Sequence, residues 1–343
     1  MSVPASGETG SAMASRSALF RERQRATPKL IGLRLLQIPA VLCVVSIIVF
    51  ALIEVVPGDP GRNALGQYAT AEQVAQWNAS HNLDGALIER YIAWTGGLLT
   101  GDWGISLVYD ERVLDLVFGR LSNSMMLGLY AFLMLVPIAI GLGVAQARRE
   151  GSRSDRALTI VLMSLAAVPE FVIGVLLLIV FGLALPILPI NSGDALGQGL
   201  PAQLRAMTLP AITIALGSLA VFARMTRNAV IETTGSQFYR TAVVKGVDGS
   251  ALLRRHVARN SMIPVVSLLG IYLGAMLCGS AVVETLFSYP GLGALLVTAT
   301  QQKDIFVLTA GVMITAVISM LALLATDVVF TMIDPRVRFS GGS

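Results

Sequence analysis

The sequence predicts an all-α integral membrane protein with six transmembrane helices. Charged residues make up 13% of the 343 residues, against roughly 25% in an average soluble protein. Hydrophobic residues make up 55%, more apolar surface than a water-soluble fold can cover. The apolar residues also gather in runs of spanning length, about 20 residues each. The same composition excludes disorder, collagen, a coiled coil and a disulfide scaffold as whole-chain classes. Cys43 and Cys278 both lie in apolar runs, where they read as small packing residues rather than a redox pair.

Residues 1–29 are rich in Ser, Ala, Gly and Arg without an apolar period. They read as a disordered cytoplasmic tail suited to contact with anionic lipid. The first span, Leu35–Val56, is too long for a signal-peptide core. Pro57-Gly58-Asp59-Pro60 follows it in place of a small-residue cleavage site, so it reads as an uncleaved anchor. Residues 57–120 form a long external segment with all three tryptophans, Trp77, Trp94 and Trp103. It is either an aromatic belt at the headgroups or a platform for a partner. The second and third spans, Leu121–Gln146 and Ala157–Leu185, contain Pro137 and Pro169. Such breaks are tolerated where neighbouring helices or water satisfy the freed carbonyls. The fourth span, Thr208–Ala223, is the shortest, with Pro210 placed in its first turn. Met262–Leu286 and Ile305–Ile333 complete the set.

Basic residues orient these spans. One side receives 19 Lys and Arg: six before residue 35, four in the loop after span two, seven after span four and two at the C-terminus. The other side receives six: Arg62, Arg90, Arg112, Arg120, Arg205 and Lys303. Both termini are therefore expected in the cytoplasm.

Catalytic chemistry finds no foothold. His81 and His256 fall on opposite sides of the bilayer, and no HExxH, CxxC or GxxxxGK[ST] motif occurs. No ATP hydrolysis and no metal site are expected in this chain. Glu54, Glu284 and Asp327 lie near helix ends, from which a carboxylate can reach water. Glu170, following Pro169, is the one deep carboxylate, and a lone deep carboxylate argues against a proton-coupled carrier. It either satisfies polar groups freed by Pro169 or pairs with a partner, or it lines a transport path.

The most informative segment is the cytoplasmic loop 224–261. Tyr239 to Gly246 reads as a short helix ended by a glycine that supplies left-handed backbone. Ala251 to Asn260 reads as a second, basic amphipathic helix leading to Pro264. A helix–turn–helix of this kind either docks in a groove on another protein or lies on the inner leaflet.

The run Arg240-Thr241-Ala242-Val243-Val244-Lys245-Gly246, followed by Arg255-His256 and by Arg259-Asn260-Ser261 before Ile263-Pro264, resembles the EAA loop of ABC-importer permeases. Its form is that of the dipeptide/oligopeptide/nickel family, in the first-subunit branch. Further matches are Val56-Pro57-Gly58-Asp59-Pro60, Gly101-Asp102-Trp103-Gly104-Ile105-Ser106, the run from Val283 to Gly293, and Asp334-Pro335-Arg336-Val337-Arg338. The resemblance covers about residues 30–340. Two positions depart from it: Phe238-Tyr239 stands where an acidic or aromatic pair is usual, and Glu170 where small or neutral residues are common.

The resemblance implies a type I importer permease that works with a second related permease, two cytoplasmic ATPases and an extracytoplasmic solute-binding protein. ATP and Mg would sit on the ATPases, and the external segment would receive the binding protein. Tyr239, Arg240, Thr241, Ala242, Lys245, Gly246, Arg255 and His256 would form the ATPase-docking surface. Gly270 and Gly274 give span five a small-residue stripe for close helix packing, toward the partner permease or within the chain. The implied solutes are di- and oligopeptides, with nickel chelates, glutathione, oligosaccharides and opines also carried in the family. A stand-alone channel or secondary carrier is the alternative class.

Overall fold

The computed structural model describes residues 32, 36–52, 59–66, 68–81, 84–195, 197–246 and 258–333. Apart from a single bridge between Ile105 and Arg112, the regular structure among them is helical. Helix α1 spans Leu36–Leu52. Helices α2 (Pro60–Leu65), α3 (Ala71–Ser80) and α4 (Leu87–Thr100) follow. Asp59 caps α2 and also accepts the Asn78 side-chain amide, which holds its carboxyl below the usual carboxylate range. Thr70 and Gln73 form a capping box on α3.

Helix α5 (Val113–Ala147) and helix α8 (Leu200–Gly235) are the axis of the fold. At 35 and 36 residues each is more than 50 Å long at about 1.5 Å per residue. They pack along their lengths. Leu127, Ala131, Leu135 and Ala139 of α5, spaced four apart, are at most 1% exposed. They meet a facing row rich in alanine on α8, including Ala211, Ala220 and Ala223. Small residues allow this approach where lipid supplies no hydrophobic drive. At Gly143 a Cβ would come within 2.6 Å of the Ala223 carbonyl oxygen, so no larger residue fits.

Helices α6 (Arg153–Ala166) and α7 (Glu170–Leu177) follow α5, and α7 runs on as a π-helix over Leu178–Ala184. After α8 come α9 (Gln237–Val244), α10 (Ala258–Leu277), α11 (Ala281–Leu286), α12 (Leu292–Gln302) and α13 (Ile305–Ile333). Among the described residues, α5, α8 and α13 are long and apolar enough to cross a membrane, and α6 with α7 makes a fourth candidate bent by 99°. Leu36–Leu52 and Pro264–Leu277 are shorter apolar helices.

Three expectations change. The third apolar run is not one rod: Pro169 disfavours helical backbone at Val168, and the chain turns sharply there before restarting at Glu170. The fourth run, expected to be the shortest, belongs to the longest helix, because a helix continues outside the apolar window that marks a span. Its early proline is Pro201, while Pro210 lies well inside. The missing Pro210 N–H would have served the Ala206 carbonyl. The hydroxyl of buried Ser192 donates to that oxygen instead, at 2.8 Å. The fifth run ends at Leu277 rather than Leu286. Gly279 takes φ +85° and Ser280 caps a separate short helix.

Candidate coupling element and transport path

Helix α8 ends where Ser236 adopts extended backbone. The Ser236 hydroxyl donates to the Thr233 carbonyl at 2.6 Å, and its own carbonyl receives the Arg240 N–H at 3.2 Å. This one residue closes α8 and starts α9. On α9, Ala242 is buried and Tyr239 half-buried, while Arg240, Thr241, Lys245 and Gly246 are exposed. Three large apolar side chains also face outward: Phe238, Val243 and Val244, the last 87% exposed. The helix stops as the Gly246 N–H reaches the Val243 carbonyl at 2.9 Å, with Gly246 at φ +76°. Only glycine occupies that region without strain. Arg255 and His256, with most of the second helix expected in this loop, lie outside the described residues. Helix α10 is already regular at Ala258 and passes through Pro264.

Sequence reasoning missed a brace beside this element. Arg227 of α8 holds Asp155 at the start of α6 in a bidentate pair. The same carboxylate accepts the Gly151 N–H at 3.0 Å. Arg227 counts in the sequence only as one of the basic residues after span four, and Asp155 carries no reading there; the local signal was Ser152 as N-cap three residues before an acidic first turn.

Glu170 opens α7, directly after the bend, and is half-buried. Among the described residues it makes no ion pair or hydrogen bond, so its carboxyl does not take up the polar groups freed by Pro169. It faces Gly217 of α8, where a Cβ would stand 3.8 Å from the Glu170 Cγ. Gly217 and the end of α8 that leads into α9 are on one continuous helix, about 27 Å apart. Further along α7, Gly174 brings the helix against Leu286 and Thr213, 2.5 and 3.3 Å from where its Cβ would be.

Glu284 overturns its expectation. It does not reach water from a helix end but is 0% exposed. The break at Gly279 turns α11 inward, and the carboxyl group meets the first turn of α12. Ser124 Oγ donates to it at 2.6 Å and accepts the Leu292 N–H at 2.7 Å. The Ala294 N–H donates to the second carboxyl oxygen at 2.9 Å. Together Glu284 and Ser124 satisfy two N–H groups that a helix start leaves open. Gly279 and Gly291 line the carboxyl so closely that a Cβ at either would collide with it, and a Cβ at Gly293 would strike the Ala281 backbone. Tyr289, 1% exposed, donates to the Asn123 carbonyl at 2.9 Å, and the Asn123 amide donates to the Pro290 carbonyl at 2.8 Å. The run from Val283 to Gly293 is thus a polar knot fastening α11 and α12 to α5.

A parallel fastening joins the turn at Ser106 to the start of α13. Asp304 is 0% exposed and accepts from Ser106 Oγ and from the Val307 N–H. Gly270 and Gly274 pack inside the chain: a Cβ at Gly270 would strike Thr326, and one at Gly274 would come within 2.6 Å of Ala322, both on α13. No group of three or more His, Cys, Asp or Glu placed to hold a metal ion occurs among the described residues.

Comparison with known proteins adds the following. The family described as binding-protein-dependent transport system inner membrane component matches residues 116–339. The corresponding N-terminal family matches residues 29–127. The chain is 31% identical over 306 residues to the probable peptide ABC transporter permease protein y4tP of Sinorhizobium fredii, covering 89% of this chain and 98% of that protein. It is also 31% identical to the glutathione transport system permease protein GsiC of Escherichia coli K12, covering 89% and 97%. A solved structure of the MetNI methionine ABC transporter in inward-facing conformations aligns with a TM-score of 0.48 and 17% identity, over 65% of this chain and 96% of that one.

Proposed function

The chain belongs to the family of inner-membrane components of binding-protein-dependent transport systems, and we propose that it is one permease half of an ATP-driven importer of peptide-class solutes. It is a non-catalytic permease subunit. Its partners are a second permease of the same kind, two cytoplasmic ATPase subunits that hold ATP and Mg, and an extracytoplasmic solute-binding protein. The solute class follows from relatives named for peptide and for glutathione transport, glutathione being itself a small peptide.

The observation that carries the mechanism is the continuity of α8. One helix without a break has the exposed α9 at one end and faces Glu170 near its middle. A push on α9 by a closing ATPase pair is passed along a rigid rod to the bend at Pro169. Tyr239, Arg240, Thr241, Ala242, Lys245 and Gly246, with Arg255 and His256 beyond the described residues, form the docking surface. The outward Phe238, Val243 and Val244 give it apolar area to bury. Glu170 lines the path, where a carboxylate offers a passing ammonium or guanidinium a weak counter-charge. The arrangement in the membrane is six spans with both termini cytoplasmic, supported by the 19 to six division of basic residues. Residues 57–120 are then external and receive the binding protein.

The test is uptake of a labelled dipeptide by proteoliposomes holding the whole complex. Uptake is expected only with ATP on the ATPase side and the binding protein on the other. Uptake by this chain alone, driven by an ion gradient, would overturn the reading in favour of a secondary carrier.

A further inference from the structure

Helix α4 wears its apolar side outward. None of its 14 residues is buried, and Ile88, Ile92 and Leu99 are 70%, 64% and 82% exposed. Spaced four and then seven residues apart, they form one stripe along the helix. A helix resting on a protein core in water has the reverse arrangement.

The opposite face of α4 sits on α1. The Tyr91 hydroxyl is 2.8 Å from Ser46 Oγ. The Tyr91 ring meets Phe50 edge-on at 5.4 Å, Trp94 lies 6.1 Å from the same ring, and the Arg90 guanidinium is 5.9 Å above it. Ser46 and Phe50 are the buried residues of α1 among those described, and both are buried at this contact. Ser46 lies six residues before Leu52, about 9 Å along the helix, so α4 lies beside α1 rather than beyond its end. Val44, Ile47, Ile48 and Leu52 of α1 are all more than half exposed. Both helices thus present large exposed apolar side chains, with Asp84 before α4, Glu89 in its first turn and Asp102 after it as the nearby acidic residues.

We propose that α4 is an interfacial helix embedded in the outer leaflet of the bilayer. Ile88, Ile92 and Leu99 lie among acyl chains. Tyr91, Trp94 and Arg90, amphipathic side chains of the kind that collect at headgroup depth, hold α4 to α1. The external segment is then moored to the lipid surface at a fixed height. The proposal rests on the six-span reading, which places residues 57–120 outside.

The test uses the full complex in nanodiscs of phosphatidylethanolamine and phosphatidylglycerol, with Cys43 and Cys278 replaced by serine. Single cysteines at Ile88, Ile92 and Leu99, and at Ser80 as an exposed reference, are given nitroxide labels. Relaxation by oxygen, which concentrates in lipid, is expected to exceed relaxation by a water-soluble nickel complex about twofold or more at the three α4 positions, and to fall below it at Ser80. Preference for nickel at the three positions would overturn the proposal in favour of an open, water-facing surface. Shielding from both reagents that lifts when the partner permease is omitted would overturn it in favour of a protein interface. Side-specific labelling of Ser80 judges the six-span reading separately: were Ser80 reached only from the cytoplasm, that reading falls, and the oxygen-to-nickel ratio still decides whether α4 is in lipid.

Discussion

Arg227 clasps Asp155 through two parallel hydrogen bonds, Nε to Oδ1 at 2.9 Å and Nη2 to Oδ2 at 2.8 Å, across 72 residues of sequence. The carboxylate side chain is 3% exposed and the guanidinium side chain 24%. The pair ties the start of α6 to α8 about three turns before α9. A paired, largely buried charge of this kind costs most when only one member is removed. Asp155→Ala is expected to destabilise the chain by about 3 kcal/mol by leaving the guanidinium unpaired. Asp155→Ala with Arg227→Ala should cost less than the two single changes added together. Thermal unfolding of the purified complex measures both; strict additivity would mean that the pair contributes nothing as a pair.

Topology is tested by labelling from each side. Cysteines at Ser80 and at Ser250 should react with an impermeant reagent from opposite faces of the membrane. Labelling of both from outside intact cells would sink the six-span arrangement.

Coupling is tested at Gly246. A valine there must adopt φ near +76°, which costs a side chain about 1–2 kcal/mol, or more when it is β-branched. Nothing lies within 4 Å of where the Cβ would be, so the strain is local and insertion should be unaffected. Gly246→Val is expected to hydrolyse ATP without uptake or to lose the ATPase subunits on purification. A fully assembled variant with normal uptake would remove the docking turn from the mechanism.

Glu170→Gln separates the two roles open to this residue. The change keeps size and removes charge. A carboxylate facing lipid costs at least roughly 2–3 kcal/mol on insertion scales, so the side chain is expected to face water or protein. Uptake of cationic peptides should fall more than uptake of neutral ones, with assembly unchanged. An equal effect on both classes would leave Glu170 a structural part only.

Glu284→Ala strips the first turn of α12 of its acceptor and orphans the Ser124 hydroxyl. Each buried polar group left unpaired costs about 1–3 kcal/mol. Loss of assembled complex is expected, measured as the monodisperse fraction after detergent extraction. Glu284→Gln, which still accepts from Ala294, should retain more than Glu284→Ala. Wild-type yield from Glu284→Ala would show that the knot is dispensable.

What the sequence made legible were features carried by local pattern. The apolar runs, the division of basic residues and the glycine after Lys245 are all read within a few turns of chain. Gly270 and Gly274 were legible as a packing stripe, but not that Thr326 and Ala322 of the same chain fill it. The errors share one cause. Hydropathy over a window reports burial in lipid, not where a helix begins or ends, so α8 was read 20 residues too short and the break at Gly279 was smoothed over. Glu284 was assigned to water because its partners, Ser124 and the α12 amides, come from elsewhere in the chain. Asp155 and Arg227 were invisible as a pair for the same reason.

The π-helical stretch from Leu178 to Ala184 gives the segment bearing Glu170 an unusual mechanical character. Proline separates it from α6 on one side, and on the other the chain leaves α geometry for π turns over Leu178–Ala184, a rare form found mostly at functional sites. The eight residues of α7 are therefore a short regular bar with a break from α geometry at each end. Gly174, midway along, is where the bar rests on Leu286 and Thr213. If Glu170 lines the path as proposed, a tilt of this bar about Gly174 would present or withdraw the carboxylate without repacking α5 against α8.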